Sequence, residues 1–209
     1  MKVLVVDDHA VVRRGLQKIL SDADMGFEFG EAQNGAEALE VLRTAEWDVV
    51  ILDLSMPGRG GLDVLKDIKK EQPRLPVLVL SIYPEDQFAT RVLKAGASGY
   101  MTKETAPEEL VAAIRKVFGG GKYVSSSLGE LLASEMEQDR EGAPHERLSD
   151  REYEVLRQIA SGKTVTEIAD DLSLSVKTIS TYRSRITDKT DLHTNSELTR
   201  YAIRHGLVD

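Results

Sequence analysis

The chain has 209 residues, a net charge of −8 and no cysteine. Its hydrophobic fraction of 41% and charged fraction of 30% are those of an ordinary globular protein. Without cysteine, a disulfide framework and a thiolate metal site are excluded. No apolar run is long enough to span a bilayer, and Met1 leads directly into a strand-like run without signal-peptide features. We therefore expect one or two domains, in the cytoplasm and without a membrane partner.

The first 121 residues alternate between short apolar runs and helical patterns. The apolar runs that predict strands lie near 2–6, 27–31, 49–53, 77–81 and 99–102. The first, third and fourth runs are nearly continuous, which is typical of parallel strands covered on both faces. Five such β/α units predict a doubly wound α/β domain over residues 1–121.

The rest of the chain divides at a polar segment. Residues 122–146 carry two basic and six acidic residues and contain Gly142 and Pro144, which predicts an interdomain linker with a short helix around 128–136. Residues 147–209 contain three Ser/Thr-x-x-Glu patterns, each ahead of an apolar periodicity. With a further helix start at Ser175, they predict a small all-α domain of four helices.

Charged residues follow three of the predicted strands. Asp7 and Asp8 follow the first strand, Asp53 ends the third run, and Lys103 follows the fifth. Open parallel sheets place their ligand crevice at the carboxyl ends of the strands. Clustered carboxylates with one lysine are what a metal-assisted aspartyl-phosphate site needs.

Residues 1–120 resemble the receiver domains of two-component response regulators. The resemblance is carried, in the family's order, by Asp7-Asp8, Asp53 with Met56-Pro57-Gly58, Ser81, Tyr100 and Lys103. It implies a flavodoxin-like fold with five parallel strands and makes Asp53 the phosphoacceptor. It further implies that Lys103 pairs with the phosphoryl group and that Ser81 and Tyr100 form a switch. The implied cofactor is Mg²⁺, held by Asp7, Asp8, Asp53 and the backbone carbonyl of Ser55.

Two residues beside this site need separate interpretations. His9 follows the acidic pair, and a lone histidine at a helix start is interpreted as a cap or a solvated group rather than a metal ligand. Glu104 stands where many receivers have a proline after the lysine, so the loop there departs from the family's pattern.

Residues 147–209 resemble a LuxR/NarL-type helix-turn-helix. The resemblance is carried by Leu148 to Leu156, by Glu167 to Ile179, and by Lys189, Ala202 and Gly206-Leu207. Ile179, Tyr182 and Ile186 are spaced to face inward on the second helix of the motif. This helix is therefore predicted to enter the DNA major groove.

The outward face of that helix supplies the candidate DNA contacts. Base-edge contacts are predicted for Lys177, Ser180, Thr181 and Ser184. Phosphate contacts are predicted for Thr178, Arg183, Arg185 and Lys189. Residues 147–209 carry ten basic and ten acidic residues, so this local basic stripe, rather than the total charge, predicts DNA binding.

Together these patterns predict a two-component response regulator that controls transcription. A sensor histidine kinase would phosphorylate Asp53 and thereby switch sequence-specific binding of double-stranded DNA, with a homodimer on a two-fold-symmetric site. The alternative is a phosphorylation-controlled protein-interaction module that does not bind DNA. An aspartyl-phosphate phosphatase is disfavoured because Ser55 occupies the position of the general acid. We therefore expect no enzyme activity beyond self-phosphorylation and self-dephosphorylation at Asp53.

Overall fold

The computed structural model describes residues 1–23, 26–57, 59–105, 107–137 and 143–208. The chain forms two compact units, Met1–Glu135 and Met136–Asp209. Within the described ranges, none of the helices is long and apolar enough to cross a membrane. Gly58, Gly142 and Asp209 lie outside these ranges.

The first unit alternates strands and helices as predicted. Its strands are β1 (Lys2–Val6), β2 (Glu28–Ala32), β3 (Val49–Leu52), β4 (Val77–Ser81) and β5 (Gly99–Thr102). Its helices are α1 (Ala10–Asp22), α2 (Gly35–Thr44), α3 (Gly61–Glu71), α4 (Glu85–Lys94) and α5 (Pro107–Phe118). A sixth helix, α6 (Ser126–Glu137), begins in this unit and ends two residues beyond its boundary at Glu135. All pairings are parallel, in the order β2-β1-β3-β4-β5. The predicted doubly wound fold is confirmed.

The core lies on both faces of the three central strands, β1, β3 and β4. Every residue of β3 and β4 is buried, which explains why their sequences are continuously apolar instead of alternating. On one face, Leu16 and Leu20 of α1 pack with Ile114 and Val117 of α5 over the sheet. Burying each such side chain contributes about 1.5–3 kcal/mol. The rigid sheet fixes the positions of the residues that follow its strands.

The second unit is helical. A 3₁₀ helix, Pro144–Arg147, precedes α7 (Asp150–Ala160), α8 (Val165–Asp171), α9 (Val176–Thr190) and α10 (Asn195–Arg204). The capping boxes predicted at Ser149, Thr164 and Thr194 are all present. The side chain of Ser175 accepts a hydrogen bond from the Thr178 amide and so caps α9. The predicted four-helix domain is confirmed.

The turn between α8 and α9 sets the geometry of the motif. Ser173 has a φ of 52°, and the Leu174 amide donates to the Ala169 carbonyl at 2.8 Å. Ala169 is buried, and its small side chain permits the close approach of α9. This turn ends α8 and directs the chain into α9, as the helix-turn-helix pattern predicts.

Candidate functional site

The sheet brings the predicted acidic residues to one edge. Asp7 follows β1 and Asp53 follows β3, and these strands are neighbours. The Asp53 amide donates to the Val6 carbonyl at 2.9 Å, and the Asp7 amide donates to the Ala32 carbonyl at 3.1 Å. These bonds continue the strand ladders by one residue, so the sheet itself holds both carboxylates in place.

Lys103 joins the two buried carboxylates. Its Nζ lies 2.7 Å from Asp7 Oδ2 and 2.8 Å from Asp53 Oδ2. The Asp7 and Asp53 side chains are 3% and 1% exposed, and that of Lys103 is 15% exposed. An ammonium shared by two buried carboxylates is a strong charge-assisted contact. The predicted grouping of these three residues is therefore present in the fold.

Burial governs the protonation of this group. It raises the pKa of Asp53 above its usual value, whereas the Lys103 ammonium acts in the opposite direction and the nearby Asp7 adds a smaller increase. Burial alone would lower the pKa of Lys103, but its contacts with Asp53 and Asp7 outweigh this effect and raise it. An ionised Asp53 consequently depends on cationic neighbours.

The acidic cluster has the donor atoms of a metal site. Single donor atoms of Asp7, Asp8, His9 and Asp53 all lie within 4.8 Å of one another. Asp8 Oδ1 is enclosed and accepts no hydrogen bond of good geometry, although His9 Nδ1 lies 2.9 Å away. Carboxylate oxygens suit hard divalent cations. The cluster can therefore hold a metal ion.

His9 lies at the start of α1, as its interpretation expected. It occupies the N-cap position without a capping side-chain hydrogen bond, so the interpretation as a solvated group fits it better than that as a side-chain cap. The ring is largely exposed and is turned towards the acidic pair, with Nδ1 3.4 Å from Asp7 Oδ1. The backbone amide of His9 donates to that same Asp7 oxygen at 2.8 Å. His9 therefore helps to orient Asp7 through the main chain.

Gly61 is a site residue that the sequence did not single out. A Cβ at this position would lie 2.1 Å from the Asp53 carbonyl oxygen, so only glycine fits. Its amide donates to the Leu54 carbonyl at 3.1 Å, while the Ser55 amide donates to Asp53 Oδ1 at 3.1 Å. The start of α3 thereby supports the loop that carries Asp53 and Ser55. The signal available in the sequence was the Gly60-Gly61 pair ahead of an apolar periodicity.

The side chains of Ser81 and Tyr100 both form hydrogen bonds with the backbone of a third residue, Tyr83. Ser81 Oγ accepts from the Tyr83 amide at 3.1 Å, and the Tyr100 hydroxyl donates to the Tyr83 carbonyl at 2.7 Å. Tyr100 is completely buried, so its ring is already inward in this structure. Ser81 and Tyr100 are thus connected through the backbone of the segment that leads into α4.

Helix α9 has a buried face and an exposed face. Of the three residues predicted to face inward, Ile179 and Ile186 are completely buried, whereas Tyr182 is only half-buried. The exposed candidates are Lys177, Ser180, Thr181, Ser184, Arg185 and Lys189. Ser180 Oγ and Thr181 Oγ1 donate to carbonyls one turn earlier, those of Val176 and Lys177, at 2.9 and 3.0 Å. These hydroxyls already have intrahelical partners, which DNA contacts would have to replace or share.

Two predicted phosphate contacts have partners within the second unit. Arg183 Nη2 donates to Asn195 Oδ1 at 3.0 Å, and Lys189 Nζ lies 2.6 Å from Glu152 Oε2. Both contacts join α9 to a neighbouring helix. In the part of the chain that the structure describes, Lys177 and Arg185 form no ion pair. Of the basic residues on α9, Lys177 and Arg185 are therefore the most available to bind DNA.

The Glu152–Lys189 pair makes this unit sensitive to acid. Burial opposes the charged form of Glu152, but hydrogen bonds from Lys189 and Ser149 outweigh it and lower its pKa below 4.5. A lowered folded-state pKa gives stability that is present above pH 4.5 and is lost as the pH falls through the folded value.

We expect a Glu152→Gln chain to lose less stability between pH 7 and pH 3 than the unaltered chain. The measurement is amide exchange of α7 and α9 at each pH, with exposed Asp188→Asn as the control. Identical pH dependence in both variants would contradict this assignment.

Comparisons with known proteins agree with both units. Residues 3–115 match the family described as response regulator receiver domain, and residues 146–202 match the luxR family of bacterial regulatory proteins. Response regulator GacA of Pseudomonas aeruginosa is 42% identical over 210 residues, covering 100% of this chain and 98% of the relative. Response regulator UvrY of Escherichia coli (strain K12) is 40% identical over 210 residues, covering 100% and 96%.

Solved structures of response regulators are similar to this chain over nearly its whole length. The RcsB response regulator of Salmonella typhimurium is 32% identical with a TM-score of 0.59, covering 98% of both chains. A complex of the two-component response regulator RcsB with DNA is 31% identical with a TM-score of 0.60, covering 100% of this chain and 99% of the other.

The fold and the acidic site define the first unit as a receiver domain, and the second unit is a LuxR-type DNA-binding domain. The chain belongs to the response regulators of the LuxR/NarL type. It is thus a regulator and does not belong to a class of metabolic enzymes.

Proposed function

We propose that a sensor histidine kinase phosphorylates Asp53 and that this modification switches DNA binding and transcription. The observation that carries the proposal is the buried Asp7–Lys103–Asp53 group at the sheet edge. Residues 1–121 would accept the phosphoryl group, residues 147–209 would bind DNA, and residues 122–146 would connect them. The protein would act in the cytoplasm, where the kinase's phosphorylated domain and the DNA are both accessible.

Phosphoryl transfer uses groups already in position. An Asp53 oxygen attacks the phosphorus, forming an acyl phosphate while the bond from phosphorus to the donor's nitrogen or oxygen breaks. Lys103 donates to a phosphoryl oxygen, which offsets the new negative charge. Mg²⁺, held by Asp7, Asp8, Asp53 and the Ser55 carbonyl, would supply further charge neutralisation. Small acyl phosphates are donors for self-phosphorylation, and water attack on the same phosphorus reverses the modification.

The switch acts through the contacts of Ser81. Its hydroxyl would hydrogen-bond the phosphoryl group and give up its contact with the Tyr83 amide, 3.1 Å away. Tyr83 also holds Tyr100, so the segment before α4 responds to the modification. The added charge thereby shifts a pre-existing equilibrium of the receiver surface. A Ser81→Ala chain is expected to bind a phosphoryl mimic without this shift.

DNA recognition is assigned to the exposed face of α9. Lys177, Ser180, Thr181 and Ser184 would reach base edges, and Thr178, Arg183, Arg185 and Lys189 would bind phosphates. In the same unit, α10 leaves Ile203 54% exposed, which supports a homodimer contact there. A two-fold dimer would place two α9 helices on a two-fold-symmetric site.

Replacing Arg185 by alanine tests the phosphate assignment. Loss of one phosphate contact should weaken binding about equally for all DNA sequences and lower the salt slope by about one. The measurement is a titration of labelled duplex DNA at several salt concentrations. Arg147→Ala, an exposed residue outside α9, is the matched control. If the salt slope of the Arg185→Ala chain equals that of the control, Arg185 does not contact a DNA phosphate.

The alternative is a module that binds protein and not DNA. The LuxR-type match and the exposed Lys177 and Arg185 favour DNA. Binding of DNA that does not weaken with salt, or no binding at all, would favour the alternative.

A further inference from the structure

The segment after α5 continues the receiver sheet. The Tyr123 amide donates to the Ser98 carbonyl at 2.8 Å, and Gly99 and Tyr123 form a parallel bridge beyond β5. A Cβ at Gly99 would lie 2.9 Å from both Tyr123 Cβ and the Tyr123 carbonyl oxygen, so glycine permits this approach. Leu128 is 1% exposed. The start of the predicted linker is therefore packed within the first unit.

One carboxylate attaches this segment to α4. Glu85 Oε2 accepts hydrogen bonds from Ser125 Oγ at 2.5 Å and from Ser127 Oγ at 3.0 Å. Ser125 Oγ also accepts from the Leu128 amide at 3.1 Å and thereby caps α6. The same hydroxyl thus holds the first turn of α6 and the first turn of α4.

Glu85 lies directly after the proposed switch. Tyr83 contacts both Ser81 and Tyr100, and Pro84 alone separates it from Glu85. Because the proline ring fixes its φ, Tyr83 and Glu85 have little freedom to move independently of each other. The Tyr83 ring also stacks on Phe88 of α4, with centroids 4.7 Å apart. A shift of Tyr83 should therefore move the start of α4 together with the Glu85 carboxylate.

We propose that Glu85, Ser125 and Ser127 form a latch that passes the state of the receiver to the start of α6. The proposal rests on the proposed function, because the latch can transmit a change only if phosphorylation alters the contacts of Ser81. When Tyr83 moves, the Glu85 carboxylate changes its distance to the two serine hydroxyls, and the cap of α6 tightens or loosens. Glu85 is a positioning residue and takes no part in phosphoryl transfer.

Amide exchange of residues 122–130 in the full chain tests the latch. We expect a beryllium fluoride phosphoryl mimic with Mg²⁺ to change exchange of two amides, that of Tyr123, bonded to the Ser98 carbonyl, and that of Leu128, bonded to Ser125 Oγ. The change should be at least about fivefold, the order expected when a hydrogen bond opens locally. Glu85→Ala should abolish this response, and Ser125→Ala with Ser127→Ala should reproduce the loss. Adding Glu85→Ala to the double-serine variant should have no further effect.

Asp86→Ala is the matched control, because Asp86 is exposed and is the other acidic residue in the first turn of α4. Both substitutions remove one negative charge from the same helix N-terminus. An equal response in Glu85→Ala and Asp86→Ala, or no response in the unaltered chain, would overturn the latch. DNA affinity, measured on the same samples, tests the proposed function separately. An exchange response without a change in DNA affinity would support the latch and contradict the proposed switching of DNA binding.

Discussion

A chain with Asp53→Asn will not accept a phosphoryl group, and its DNA affinity will not respond to phosphoryl donors. The amide nitrogen and oxygen of asparagine are far weaker nucleophiles than a carboxylate, and the substitution also removes one of the charges that pairs with Lys103, 2.8 Å away. We expect acid-labile phosphate incorporation to fall at least about a thousandfold, since nearly all of the rate depends on this nucleophile. Incorporation from a small acyl phosphate, followed by gel separation of the phosphorylated form, measures it.

Asp63→Asn is the control for that experiment, because Asp63 lies in the first turn of α3, close in sequence but outside the acidic cluster. It should be phosphorylated like the unaltered chain. Stoichiometric phosphorylation of the Asp53→Asn chain at another carboxylate, with DNA binding still switched, would contradict the assignment of Asp53.

Lys103→Gln should separate acceptance of the phosphoryl group from the response to it. Asp53 remains as the nucleophile, so the chain can still be modified. The ammonium that bridges Asp7 and Asp53 is lost, and with it the cation that would hold the phosphoryl oxygen. We expect the mimic-induced gain in DNA affinity to fall by about tenfold or more, the equivalent of losing one charge-assisted hydrogen bond.

The same substitution should lower stability. Removing one partner of a buried ion pair costs on the order of 3 kcal/mol because the other charges lose their compensation. Denaturant unfolding measures this loss, and Lys70→Gln, an exposed lysine at the end of α3, is the control. A Lys103→Gln chain as stable as the control, with a full response to the mimic, would show that the lysine is dispensable.

The sequence predicted the features that depend on local pattern. Continuous apolar runs predicted the buried strands, and the carboxyl ends of those strands predicted where Asp7, Asp53 and Lys103 would meet. The Ser/Thr-x-x-Glu patterns predicted three helix starts, because a capping box uses residues only three apart. The capping boxes needed no information about distant parts of the chain. Lys103 and Asp7 are 96 residues apart, and their meeting was predictable only because parallel strands present their carboxyl ends at one edge of a sheet.

The features that escaped prediction depend on contacts distant in sequence. Glu152 was predicted as part of a capping box, but its ion pair with Lys189 joins residues 37 apart. Glu85 and Ser125 are 40 residues apart, and neither lies in a motif. No periodicity identifies such partners, because they follow from how the packed elements lie in space. The inward ring of Tyr100 is likewise a packing outcome, since the residue type alone permits either orientation.

Selection from a random pool of duplex DNA by the full-length chain tests the central claim most directly. It is run with and without the beryllium fluoride mimic in the presence of Mg²⁺. We predict that a two-fold-symmetric sequence is enriched with the mimic and is not enriched without it, because modification of Asp53 controls DNA binding by α9. Equal enrichment in both conditions, or no enriched sequence in either, would contradict phosphorylation-controlled DNA binding.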